Sequence, residues 1–122
     1  REKHTLVVSH APVVSACVYF DGPYEKSGDW HIPKAWMHTD ARRVKDLFLK
    51  HPQVKACLSG HIHQVDRVDY LGVSYFCNGA VCGDWWKGPN LQCDCGYAVI
   101  DLYDDGTVDN VYTTYGWKYK EK

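Results

Sequence analysis

The sequence predicts an α/β fold, built as a strand-helix-strand unit followed by two β-hairpins. Two short apolar runs, Thr5 to Ser9 and Val54 to Leu58, flank an amphipathic segment with three-four spacing, and beyond Val65 the apolar period changes to two. The order strand, long connection with a helix, strand is that of a right-handed parallel crossover.

Each element has its own signal. The first run ends at His10 and Pro12; proline lacks an amide hydrogen and restricts the residue before it, so the strand stops there and delivers a histidine at its carboxyl end. Val13 to Phe20 stays apolar after the proline and reads as a loop packed on the core or a short extra strand. Over residues 21–39, Gly, Pro, Ser and Asp break every period while Trp30, Trp36 and Met37 recur without alternation, which predicts an irregular loop with aromatic anchors. Thr39 or Asp40 can cap a helix in which Val44, Leu47, Phe48 and His51 share a face, with Arg42, Arg43, Lys45, Asp46 and Lys50 largely elsewhere, ending near Pro52. Val54 to Leu58 then runs into Ser59-Gly60-His61, so both strands end with a histidine. In open parallel sheets ligands collect at strand carboxyl ends, which brings His10 and His61 together in the expected fold. Val65 to Tyr70 and Val73 to Cys77 flank a turn at Leu71-Gly72. Ala98, Ile100 and Leu102 alternate before the turn residues Asp104-Asp105-Gly106, and the chain returns over Val108 to Tyr115. Lys118 to Lys122 is a polar tail.

The composition bounds the function. The chain has 122 residues, 45% of them apolar, and a formal net charge of -1, which is the material of one small domain over residues 1–122. No Lys/Arg run makes a footprint for nucleic acid, and no apolar stretch is long enough for a transmembrane segment. Five Trp, nine Tyr and three Phe are too many for a solvated linker. The first residue is Arg1, so an upstream segment is expected, and the cytoplasmic and the secreted or periplasmic locations both stay open. Of the six cysteines, Cys17, Cys57, Cys77, Cys82, Cys93 and Cys95, Cys57 and Cys77 lie in strand-like segments and read as buried thiols, whereas Cys82, Cys93 and Cys95 are close enough for a bridge or a metal site.

The strongest local feature is Leu58-Ser59-Gly60-His61-Ile62-His63, an apolar strand flowing into a glycine turn with two histidines. Such imidazoles can aim at one metal or at two adjacent metals, and the ordinary alternative is a pair of packed or surface histidines. His10 at the neighbouring strand end strengthens the ligand reading. The segments Val8-Ser9-His10-Ala11-Pro12 and Gly60-His61-Ile62-His63 resemble the strand-end histidine segment and closing G-H-x-H motif of calcineurin-like metallophosphoesterases, carboxyl-terminal half only. Asn78 to Gly88 also resembles the G-A-x-x-G-x-W-W-x-G stretch of a subgroup of that family, often secreted or periplasmic in bacteria.

The resemblance implies that residues 1–122 are the carboxyl-terminal portion of a metallophosphoesterase-like domain with a layered fold. It implies divalent transition metals, two in the complete enzyme (Mn, Fe or Zn), with His10 and His61 on one metal and His63 on the other, His63 also lying near the incoming phosphate as a catalytic residue. Trp85 and Trp86 are candidate walls of a substrate groove, or plain loop anchors. Asn78 can reach the same cleft, or simply serve the turn before Gly79. The family's early D-x-H, G-D-x-x-D and G-N-H-[D/E] segments are not present in place; Asp29-Trp30-His31 spells D-x-H without a preceding apolar strand, and Gly83-Asp84 lacks the second aspartate. The bridging carboxylate therefore belongs to the other half, and the chain alone is expected to hold at most one weak three-histidine site and to turn over little. The implied partner is a phosphorylated small molecule or another phosphoester, hydrolysed as a monoester or diester. The alternative is a noncatalytic metal- or ligand-binding or structural module. Half of a layered domain exposes a sheet edge, so a homo-oligomer is expected. His31 and His38 are candidates for a lid, His4 and His51 for structural roles, and Lys87 for a solvated charge or a phosphate contact.

Overall fold

β1 (Thr5–Val8) and β4 (Val54–Ser59) are hydrogen-bonded neighbours running parallel, with α1 (Ala41–Leu49) in the connection between them. The computed structural model describes residues 3–22 and 25–120. Next to β4 lies β6 (Val73–Cys77), also parallel, and β5 (Asp66–Tyr70) closes the other edge antiparallel to β6, giving the order β1-β4-β6-β5. A separate antiparallel hairpin is formed by β7 (Gly96–Leu102) and β8 (Val108–Thr114). The protein is thus mixed α/β.

The two central strands are buried on both faces, which is why β4 reads as a continuous apolar run rather than an alternating one. On one face Cys57 and Tyr75 pack with Val13, Phe48, Val54 and Val73; on the other Ala56, Leu58 and Phe76 pack with Val108 and, from β7, Ile100. Strand alternation alone would put Val54 with Ala56. A register shift between Thr5, paired with Val54, and Leu6, paired with Ala56, inserts Lys55 as an extra residue and turns Val54 to the Cys57 face. The α1 side and the β7–β8 side therefore form layers on opposite faces of the sheet.

Several local expectations need correction. Val13 to Phe20 is neither wholly a loop nor a strand: Cys17–Phe20 forms a 3₁₀ turn whose Cys17 and Val18 are buried. The irregular segment over residues 21–39 contains two-residue strands, β2 (Glu25–Lys26) and β3 (Asp29–Trp30), paired with each other; Pro23 and Tyr24 of that segment, and Glu121 and Lys122 of the tail, lie outside the described residues. Helix α1 starts after Asp40 as expected, but the Asp40 side chain makes no capping hydrogen bond. Its inward face is Ala41, Val44 and Phe48; Leu47 and His51 are exposed, because the helix meets the sheet along a narrower stripe than the apolar spacing allows. Leu102, the last member of the alternating Ala98, Ile100, Leu102 run, is exposed.

The β5–β6 hairpin turns through Leu71 and Gly72, both at positive φ (49° and 82°), as a two-residue turn matching strand twist requires. Leucine pays a steric penalty there that asparagine largely escapes. Leu71 is exposed, so Leu71→Asn is expected to raise unfolding free energy by about 1 kcal/mol in urea titrations; no gain would mean that the leucine side chain stabilises the turn.

Candidate metal centre

Because β1 and β4 are parallel with Val8 opposite Leu58, the residues that follow both strands leave the sheet at the same end. The ladder extends past the strands: Ser9 N–H donates to Leu58 O (2.9 Å) and Gly60 N–H to His10 O (3.0 Å). His61 Nδ1 consequently lies 3.0 Å from His10 Nε2. His61 Nε2 is 2.8 Å from the Ala35 carbonyl, which only accepts, so Nε2 carries the hydrogen and Nδ1 of the neutral ring is a lone pair facing His10. Two nitrogens on one ion, with bonds of about 2.1 Å, sit about 3.0–3.4 Å apart. The observed spacing fits that arrangement, and a backbone carbonyl on the far nitrogen is the usual orienting partner of a ligating imidazole. With no ion between them, His10 Nε2–H donates to His61 Nδ1.

The turn that carries the second pair of imidazoles is strained. His61 and His63 have φ of 71° and 61°, the left-handed region, at roughly 1–2 kcal/mol each for non-glycine residues. Buried Ile62 between them and Asn90, whose Nδ2 donates to Ile62 O (3.2 Å) and His63 O (3.3 Å), hold the turn. His63 Nδ1–H donates to Gly83 O at 2.7 Å, leaving Nε2 as its lone pair, and its ring stands 5.2 Å from that of Trp85. Trp85 and Trp86 are also at positive φ (52° and 64°), so the strained non-glycine positions concentrate around this cleft.

A cavity of about 120 Å³ lies here, lined by Asp21, His61, His63, Asp84, Trp85 and Asn90 among others. Asp21 and Asn90 were not legible as site residues, since they reach the cleft from loops with no motif of their own; Asp84 stands at an unspecified position of the Gly83–Gly88 stretch, which gave it no role. Burial, the largest influence, pushes the Asp21 carboxyl above its ordinary value; the His63 charge opposes this and Asp84 adds to it. Two carboxyls beside an imidazole make the cleft attractive to a cation.

The expected residues fall into distinct places. His10 and His61 are together, whereas His63 does not join them: among the described residues the His/Cys/Asp/Glu group whose donor atoms all lie within 4.8 Å of one another is Cys17, Asp66 and Cys77, a group that could hold a metal ion. Trp85 is exposed beside His63, and Trp86 packs edge-on against Trp117 at 5.2 Å. Asn78 exchanges both amide hydrogen bonds with Asn110 of β8 at 2.9 Å each, which ties the hairpin to the end of β6. His38 is no free lid residue; its Nε2 is 2.6 Å from Ser9 Oγ, anchoring the segment before α1 to the end of β1. His31 and Lys87 are exposed, and His4 Nε2 meets the Asp104 carbonyl at 2.8 Å, a structural contact. Asp29 and Trp30 form exposed β3 and His31 follows it, with Trp30 edge-on to Tyr19 and Phe20.

Cys82, Cys93 and Cys95 are free thiols and do not gather as a metal group. Cys57 is buried, and burial pushes its thiol up to about 11, as expected of a core cysteine. Among the described residues no helix is long and apolar enough to cross a membrane. Compared with protein-family models, curated proteins and solved structures, the chain matches none.

Proposed function

We propose that this chain supplies the carboxyl-terminal half of a two-metal phosphoesterase centre with a metallophosphoesterase-like layered fold. His10 and His61 would hold one divalent transition metal and His63 would serve the second. The observation that carries the reading is the 3.0 Å approach of His10 Nε2 and His61 Nδ1 from the ends of adjacent parallel strands, with the outer His61 nitrogen tied to a carbonyl. The separate setting of His63 supports assigning it to a different ion.

Bound metals would polarise the phosphoryl group and supply a hydroxide at neutral pH. The chain's own residues do the positioning. Ala35 and Gly83 carbonyls fix the tautomers of His61 and His63, and His63 Nε2, the lone pair of its ring, is the nitrogen that would take the second metal. Asp21 and Asp84 hold negative charge at the cleft, and Trp85 walls its exposed side. The bridging carboxylate and the remaining ligands would come from an amino-terminal half bearing D-x-H, G-D-x-x-D and G-N-H-[D/E]. Self-association through the exposed β1 edge is part of the same reading.

Zinc titration followed through the imidazole resonances tests it. His10 and His61 are expected to shift together, while the chain alone, with manganese or zinc, hydrolyses a phosphodiester no faster than a His61→Ala control. Unmoved His10 and His61 resonances at saturating zinc would remove the ligand assignment. Ordinary enzymatic turnover abolished by His61→Ala would remove the need for a second half.

A further inference from the structure

We propose that Cys17, Asp66 and Cys77 form a structural site for a thiophilic divalent cation of the zinc type, directly behind the His61–His63 turn. The three residues come from separate elements: Cys17 opens the 3₁₀ turn, Asp66 opens β5 and Cys77 ends β6. Both Sγ atoms and a carboxylate oxygen lie within 4.8 Å of one another. Around a zinc ion, with bonds of about 2.3 Å to sulfur and about 2.0–2.2 Å to oxygen, the donors stand roughly 3.5–3.8 Å apart. Closing the remainder takes about 1 Å, within reach of small side-chain rotations. Two thiolates and one carboxylate select zinc or a similar borderline-soft ion over magnesium or calcium.

Asp66 gives the independent argument for a cation. Its Oδ2 accepts from Ser15 Oγ (2.9 Å) and from the amides of Ala16 (2.6 Å) and Cys17 (2.8 Å), so one oxygen is fully used in shaping the turn. The other, Oδ1, is buried with no hydrogen-bond partner, and among the described residues no Lys, Arg or His forms an ion pair with this carboxylate. A buried carboxylate oxygen without donor or counter-charge is costly, and a coordinated ion removes that cost. Without an ion Cys17 stays a thiol: the neighbouring Cys77 thiol, and then burial, push it far above its ordinary value. Loading therefore breaks both S–H bonds, releases two protons to solvent and forms two metal–sulfur bonds.

The site has a consequence for the histidine turn. Cys17, Val18 and Cys77 pack with Ile62, the residue between His61 and His63; the Cys77 Sγ–H bond to Gly60 O at 3.5 Å belongs to the metal-free state and is given up on loading. A cation joining the 3₁₀ turn, β5 and β6 would stiffen the floor on which the strained turn rests.

The test uses the whole 122-residue chain, reduced with a phosphine and loaded with cobalt(II), whose thiolate charge-transfer absorption imidazoles cannot produce. One equivalent of cobalt is expected to give that band. The band should persist when His10, His61 and His63 are all replaced by alanine, so this proposal can fail or survive independently of the phosphoesterase reading. Cys17→Ser and Cys77→Ser should abolish it. Asp66→Asn keeps an oxygen acceptor for the Ala16 and Cys17 amides and should lower cobalt affinity about tenfold or more with unchanged circular dichroism. No band in the reduced protein, a band surviving both serine substitutions together, or unchanged affinity in folded Asp66→Asn would each overturn the assignment.

Discussion

Replacing His61 with alanine is expected to lower zinc affinity at the His10–His61 pair by about a hundredfold or more, since losing even an orienting partner of a ligand costs 10–100-fold. His61 is where two requirements meet. Its Nδ1 faces His10 at 3.0 Å, and its backbone sits at φ 71°, which alanine tolerates as badly as histidine. Glycine lacks the Cβ responsible for the strain. His61→Gly should therefore lose affinity as fully as His61→Ala yet unfold at higher urea, by about 1 kcal/mol relative to the alanine variant. His63→Ala should weaken binding at the His10–His61 pair much less, because its Nδ1 is committed to Gly83 O and its donors do not share one sphere with that pair. Calorimetry on variants retaining Cys17, Asp66 and Cys77 must resolve the cleft from any thiolate site, which the imidazole resonances do directly. Equal affinity in wild type and His61→Ala would mean the histidine pair is only a hydrogen bond.

The separation of strain from ligation also explains what could be read without coordinates. Strand ends were legible because local chemistry punctuates them: Pro12 stops β1, and Ser59-Gly60 ends β4, so the convergence of His10 and His61 follows from a parallel crossover alone. The helix and the hairpins carry periodicities that burial reproduces only in part: α1 through Val44 and Phe48 and β8 through Val108, while β6 is buried on both faces. Non-local events left no such mark. The extra residue at Lys55 that turns Val54 to the other face depends on pairing with Thr5, and the 3₁₀ turn at Cys17–Phe20 is shaped by a carboxylate from β5, 49 residues away from Cys17. Cys77 read as an ordinary core thiol because nothing in its own strand announces Cys17 or Asp66. Asp21, Asp84 and Asn90 enter the cleft in the same way, through loops whose sequence codes for turning and whose function arises only on packing.

Gly83→Ala is the second substitution with a large expected effect, and it reaches the cleft through the backbone. Gly83 sits at φ 56°, and a Cβ there would run into the Gly88 carbonyl oxygen and stand 2.9 Å from Cys95 Sγ. The backbone penalty of roughly 1–2 kcal/mol and the overpacking of roughly 1–3 kcal/mol combine to an expected loss of about 2–5 kcal/mol. Neither obstacle can swing aside: one is main chain, and Cys95 is buried. Gly88→Ala is the matched control, since it also has positive φ (133°) but nothing within 4 Å of its would-be Cβ, so it should cost only the backbone part. The functional effect follows from the carbonyl. Gly83 O accepts the Nδ1 hydrogen of His63, so displacing residue 83 frees that ring to change tautomer and detaches Trp85, two residues on, from its place 5.2 Å from the imidazole. Nitrogen-15 shifts of His63 should therefore move from an Nδ1–H pattern toward a mixture in Gly83→Ala and stay fixed in Gly88→Ala. Were both variants equally stable with the same His63 tautomer, the loop would be too pliant to orient His63, and a defined role for that imidazole in the cleft would have to be abandoned.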